Sequence, residues 1–198
     1  MRNWRRLLIV AALALLIPAA GGVTYAAFRA TTGNSGDRIE AGSVKLSDNG
    51  DGSSLMSMTG GVPGTTSSAC IKVTYDGSLP ATVRLHGTTT GSGLDQYLDL
   101  KVTRGTYTPS TPAFKSCTNF AADATNYIGA GAGVIYNGTL QGFPDDYAGG
   151  LVDPLAGSPE SWTNAESHVY RFDVTVQNDF GAQAKDATQA FRWEARNQ

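Results

Sequence analysis

With 198 residues, 41% of them hydrophobic, the chain is long enough to bury one core, and 24 Gly interspersed with Thr and Ser favour many short strands over long helices. The formal charge of −2 is uneven: residues 1–26 hold Arg2, Arg5 and Arg6 and no acid, leaving 12 bases against 17 acids in the remainder. A mildly acidic body without a basic patch excludes nucleic acid as an expected partner, and no motif implies a cofactor.

The first 26 residues read as a signal peptide. Met1 to Arg6 is a positive n-region, residues 7–17 are unbroken apolar sequence, and Pro18 ends the run. Small residues then lead to Thr24 and Ala26, which stand at −3 and −1 of a cleavage site between Ala26 and Ala27. The alternative is a retained anchor, for which the apolar run falls short of the ~20 residues a span requires. The expectation is an exported, extracellular protein.

The freed N-terminus opens with Ala27, Phe28, Arg29, Ala30, Thr31 and Thr32, then passes into Gly33-Asn34-Ser35-Gly36-Asp37. Phe28 is the one large apolar side chain in that opening, and a free terminus frays unless something holds it. Residues 27–38 are therefore read as an N-terminal strand and linker, and 39–198 as one β-domain. Val44 and Leu46 alternate with Ser43 and Lys45, the period of a half-buried strand. Asp48-Asn49-Gly50-Asp51-Gly52 lacks EF-hand ligand spacing and predicts an Asn-Gly hairpin turn, with Leu55, Met56 and Met58 on the returning strand.

Further strands are expected at 70–75, with Cys70, Lys72 and Thr74 on one face and Ile71, Val73 and Tyr75 on the other. Residues 81–85 follow, with Ala81, Val83 and Leu85 inward, then a helical turn at 94–98 and a strand carrying Leu98, Leu100 and Val102. From 105 to 166 the pattern weakens under Pro109, Pro112, Pro144, Pro154 and Pro159; short strands are expected at 127–128 and 134–136 between long loops. Alternation returns at Tyr170, Phe172, Val174 and Val176, and again at Phe191, Trp193 and Ala195. Eight or nine short strands with regular turns predict an all-β fold, a jelly-roll-like β-sandwich with long inter-strand loops.

Cys70 and Cys117 lie in the exported part, where oxidation is permitted. An even count suggests one intramolecular disulfide, which would contribute roughly 4 kcal/mol in the chain-entropy model. The alternative is two separate buried thiols.

Catalytic chemistry finds little support. His86 and His168 show no helical metal spacing, and HExxH and G-x-S-x-G are absent. Glu166 lies near His168 in sequence, but the plainer reading of His168 is a polar residue at a strand start. Asp145-Asp146 reads as solvated loop, and Asn137-Gly138-Thr139 is a sequon short enough to arise by chance. No catalytic or metal-ligating residue is assigned, and the chain is not expected to be an enzyme. What remains is architectural: an exported sandwich has edge strands, and a mobile N-terminal strand can add to such an edge on a neighbour.

Residues 21–28, reading Gly-Gly-Val-Thr-Tyr-Ala-Ala-Phe, together with Ile39-Glu40-Ala41-Gly42-Ser43-Val44-Lys45-Leu46, Val62-Pro63-Gly64 and Phe191-Arg192-Trp193-Glu194-Ala195, resemble the TasA/camelysin family of exported matrix-fibre proteins. The resemblance runs nearly end to end in short motifs. It implies cleavage by a SipW-type signal peptidase, a jelly-roll subunit, and head-to-tail polymerisation by donor-strand insertion into the next subunit of a biofilm matrix. Other matrix proteins or polysaccharide are further implied partners. Some members carry a metallopeptidase label, which the missing zinc motif does not favour here. Cys70 and Cys117 are not part of the family pattern. Two alternatives stand beside the fibre subunit. One is a monomeric surface or carbohydrate-binding module using the loop residues Phe143, Tyr147 and Trp162 to stack on sugars. The other is a metallopeptidase dependent on His86 or His168.

Overall fold

The computed structural model describes residues 29–32, 44–152 and 159–197. The strands among the described residues are β1 Arg29–Thr32, β2 Leu46–Asp48, β3 Thr66–Tyr75, β4 Ala81–Gly91, β5 Leu98–Tyr107, β6 Phe120–Ala122, β7 Val134–Thr139, β8 Ser167–Val176 and β9 Ala187–Asn197. Helix is limited, among the described residues, to single 3₁₀ turns at Asp95–Tyr97, Leu140–Gly142 and Phe180–Ala182. The fold is the expected all-β sandwich with long inter-strand loops.

One sheet has the order β1-β9-β4 and the other β2-β3-β8-β5-β6, with β7 sharing the outer edge of β5 beside β6. All pairings are antiparallel. Period-two alternation fixes which face of each strand is buried. Ile71, Val73 and Tyr75 of β3 and Leu100 and Val102 of β5 meet Ala81, Val83 and Leu85 of β4 across the core. Phe172 of β8 lies 4.4 Å from Phe191 and 6.1 Å from Trp193 of β9, ring centroid to centroid, joining the two sheets.

Cys70 faces the opposite way from Ile71, and there it is bonded to Cys117 with 5.1 Å between their Cα atoms. The connection from β5 to β6 therefore reaches past β8 to β3, where the Cys70 amide donates to the Lys115 carbonyl at 3.2 Å. Two stretches of the connection between β7 and β8 cover the free edge of β4, through bridges of Leu85 with Leu151 and Ala81 with Trp162.

Three local expectations are corrected. The turn after β2 places its positive φ at Asp51 and Gly52 rather than at Asn49-Gly50. Asn49 is instead tied to β3: its amide donates to the Lys72 carbonyl and its Oδ1 accepts from the Lys72 amide at 2.9 Å. A Cβ at Gly50 would sit 2.8 Å from the Phe114 ring, which explains a small residue there without a hairpin. Consequently β2 pairs with β3, and residues 55–58 form no strand. Residues 127–128 form no strand either, whereas β6 is too short to show a period in the sequence. Val134 and Ile135 are both buried despite being adjacent, because the register of β7 against β5 shifts there.

Candidate functional site

The N-terminal strand is where the sequence directs attention. Arg29, Ala30, Thr31 and Thr32 form β1, paired with Arg196, Ala195, Glu194 and Trp193 of β9 in the same chain. Ala27, Phe28, the cleavage position at Ala26 and the whole 1–26 segment lie outside the described residues, as does the 33–43 linker.

β9 is longer than its partner. It pairs with β4 over its full length, Ala187 to Asn197, but with β1 only from residue 193 to 196. Among the described residues, 187–192 have no strand on the side away from β4. Every second residue of such an edge presents an unpaired N–H and C=O outward. Beneath this edge the two sheets part, leaving a groove of about 900 Å³. Its floor includes Ile71, Val174 and Val176 of the larger sheet, one wall is residues 182–193, and the other contains Leu55, Met56 and Met58. The loop residues 54–61 are held there by their flank, where the Gly64 amide donates to the Val176 carbonyl at 2.8 Å.

A continuation of β1 in its own register would bring Gly33-Asn34-Ser35-Gly36-Asp37-Arg38 opposite 192–187. That stretch has poor strand propensity and no apolar side chain to meet the Ile71, Val174 and Val176 floor of the groove. The opening hexapeptide fits better. Its six residues equal the free length of β9.

The opposite end of the sandwich is closed. Trp162 is 2% exposed and packs against the His168 ring at 4.5 Å while its backbone bridges to Ala81 of the smaller sheet. Arg104 of β5 bonds Asp123 at 3.0 Å and Glu160 at 2.7 Å, and His168 of β8 bonds Glu166 at 3.1 Å. Burial acts to raise the Glu166 pKa, but the Thr163 amide and hydroxyl and His168 together outweigh it, so the net shift is below the usual carboxylate value. Tyr170, wholly enclosed beside this cluster, has its hydroxyl pKa pushed far above the usual tyrosine value by burial.

The disulfide expected at Cys70 and Cys117 is present. The sugar-stacking trio is overturned: Trp162 and Phe143 are buried in the core, and Tyr147 lies under Arg196, whose guanidinium is 3.8 Å from its ring centre. A turn-rich context conceals that these aromatics cap the core. The histidines do not converge. His86 is buried on the outer side of β4 against Glu194 at 3.3 Å, whereas His168 belongs to the inner face of the larger sheet. Sequence reading missed Glu160 and Arg104 as companions of His168, since only Glu166 is near it in the chain.

Among known proteins, no family model matches this chain and no curated protein matches it. Among the described residues, no helix is long and apolar enough to cross a membrane.

Proposed function

We propose that this chain is an exported structural subunit that polymerises head to tail, each copy lending the strand at residues 27–32 to the β9 edge of the next. The observation carrying this reading is that β9 runs on past β1, leaving 187–192 without a strand partner on that side, among the described residues, above a groove of mixed polar and apolar lining. The occupant is a second copy's N-terminal strand, with its Phe28 face toward the groove. Releasing β1 from its own chain frees the whole 187–196 edge. It breaks only a four-residue ladder, at about 1 kcal/mol per hydrogen bond. In trans the donated strand takes up 187–192 instead, six positions against the four it gives up, and the longer ladder favours the exchanged state. Because donor and acceptor are different surfaces, the contact repeats into a filament rather than closing a pair.

The resemblance of the 21–28 and 39–46 motifs to the TasA/camelysin family supports the same reading, with cleavage after Ala26 by a signal peptidase and the product deposited in an extracellular biofilm or surface matrix. The chain acts as a building unit, not an enzyme, and its principal partner is itself. The test is electron microscopy of secreted protein beginning at Ala27 beside a version beginning at Ile39. Filaments from the first and none from the second are expected, and a synthetic peptide of residues 27–32 should bind the shortened version. Filaments from both would refute strand donation.

A further inference from the structure

We propose that Glu160, Glu166 and His168 form a binding site for a divalent transition-metal ion of the zinc class. Their donor atoms all lie within 4.8 Å of one another. His168 Nε2 is 3.1 Å from Glu166 Oε1 and 3.8 Å from Glu160 Oε2. Ligand atoms around a tetrahedral zinc, each about 2.0–2.2 Å from it, stand about 3.4 Å apart. Two edges of the triangle thus bracket the required length, and the third, between the two carboxylates, is no longer than 4.8 Å.

The side chains are already oriented from outside. The Trp162 ring packs on His168 and Thr163 holds Glu166 Oε2 through its amide at 2.9 Å and its hydroxyl at 3.1 Å, while Arg104 donates at 2.7 Å to Glu160 Oε2, the oxygen that faces His168. Such outer contacts leave Glu166 Oε1 directed at the imidazole and are typical supports of metal ligands. The charge is also suitable: among the described residues of the cluster, three carboxylates (Asp123, Glu160 and Glu166) face one guanidinium, leaving two negative charges when His168 is neutral. An imidazole with two carboxylates suits zinc better than calcium, which takes six to eight oxygens. Water would occupy the fourth position. The ion would tie the 160–166 loop, and with it Trp162, to β8. This site is independent of the groove and of strand exchange.

The test is calorimetric titration of untagged, chelator-treated secreted protein with Zn²⁺, alongside thermal unfolding and the visible spectrum with Co²⁺. One ion per chain, a raised unfolding midpoint and a tetrahedral Co²⁺ spectrum are expected. Glu166→Gln and His168→Gln should each weaken Zn²⁺ binding at least tenfold, while His86→Gln leaves it unchanged. Circular dichroism confirms that each variant is folded, and Glu160→Gln supplies a third probe should one fail. Absence of binding to the parent protein, or equal affinity in folded Glu166→Gln and His168→Gln, would overturn the proposal.

Discussion

The two ends of the sandwich solve the same problem in opposite ways. At the Ala81–Asn197 end the sheets are sealed by Trp162 and by a polar cluster in which Arg104, Asp123 and Glu160 satisfy one another. At the Gly91–Ala187 end Leu, Met and Val side chains, together with polar ones such as Asp186, Gln189 and Arg192, line a gap that has no strand over it among the described residues. The Arg104 guanidinium is buried and its carboxylate partners half-buried, so removing a partner strands the guanidinium charge. An apolar groove with an adjacent unpaired edge accepts any strand of suitable shape and is an exposed liability unless something covers it. The closed end therefore defines the fold, and the other end is the one that carries no covering strand among the described residues.

Substitutions at each end should separate these roles. The largest effect is expected from Trp162→Ala, which leaves a cavity at the closed end and should lower unfolding free energy by about 3–5 kcal/mol, read by denaturant titration. Removing the disulfide with Cys70→Ser and Cys117→Ser together acts on the fold as a whole, at about 2–4 kcal/mol, and should leave filament architecture unchanged once folded protein is recovered. Tyr170 gives a smaller, pH-dependent effect. Its folded pKa is raised above the ordinary 10.0, so its contribution is complete below pH 10.0 and is lost as pH rises above that value. Tyr170→Phe should therefore flatten the alkaline decline in thermal midpoint. The smallest stability change, within about 0.5 kcal/mol, is expected for Ala190→Lys on the exposed face of the free edge stretch. That variant should nonetheless reduce filament length in electron micrographs, because edge lysines oppose strand addition. A large stability loss from Ala190→Lys, or unchanged filaments, would erase the proposed division between the ends.

Legibility in the sequence followed the strength of local periodicity. Strands with three or more alternating apolar residues, such as Leu98-Leu100-Val102 and Tyr170-Phe172-Val174-Val176, were readable together with their buried faces. β6 has three residues and is positioned by backbone pairing with residues 105–107, which no side-chain pattern records. The Asn49-Gly50 dipeptide misleads because the Asn49 side chain serves the β3 ladder, a non-local use that overrides its turn preference. Part of the candidate site was visible as the strand at 29–32, but the groove was not, since its surfaces come from residues 54–61, 71, 174–176 and 182–193. The cluster around His168 was hidden for the same reason: Arg104 and Asp123 reach it from distant parts of the chain.

The place of β9 in the smaller sheet also has a kinetic consequence. It is the central strand, flanked by β1 and β4, yet it follows every other described strand in sequence. Neither neighbour finds its ladder partner until residues 187–197 have emerged, so the smaller sheet assembles through contacts of high sequence separation. Until then the N-terminal strand has no β9 edge in its own molecule to occupy. On the proposed export route, a nascent subunit thus arrives outside with its joining strand unengaged. The order of emergence itself then sets up a competition between closure within one molecule and capture by a finished neighbour.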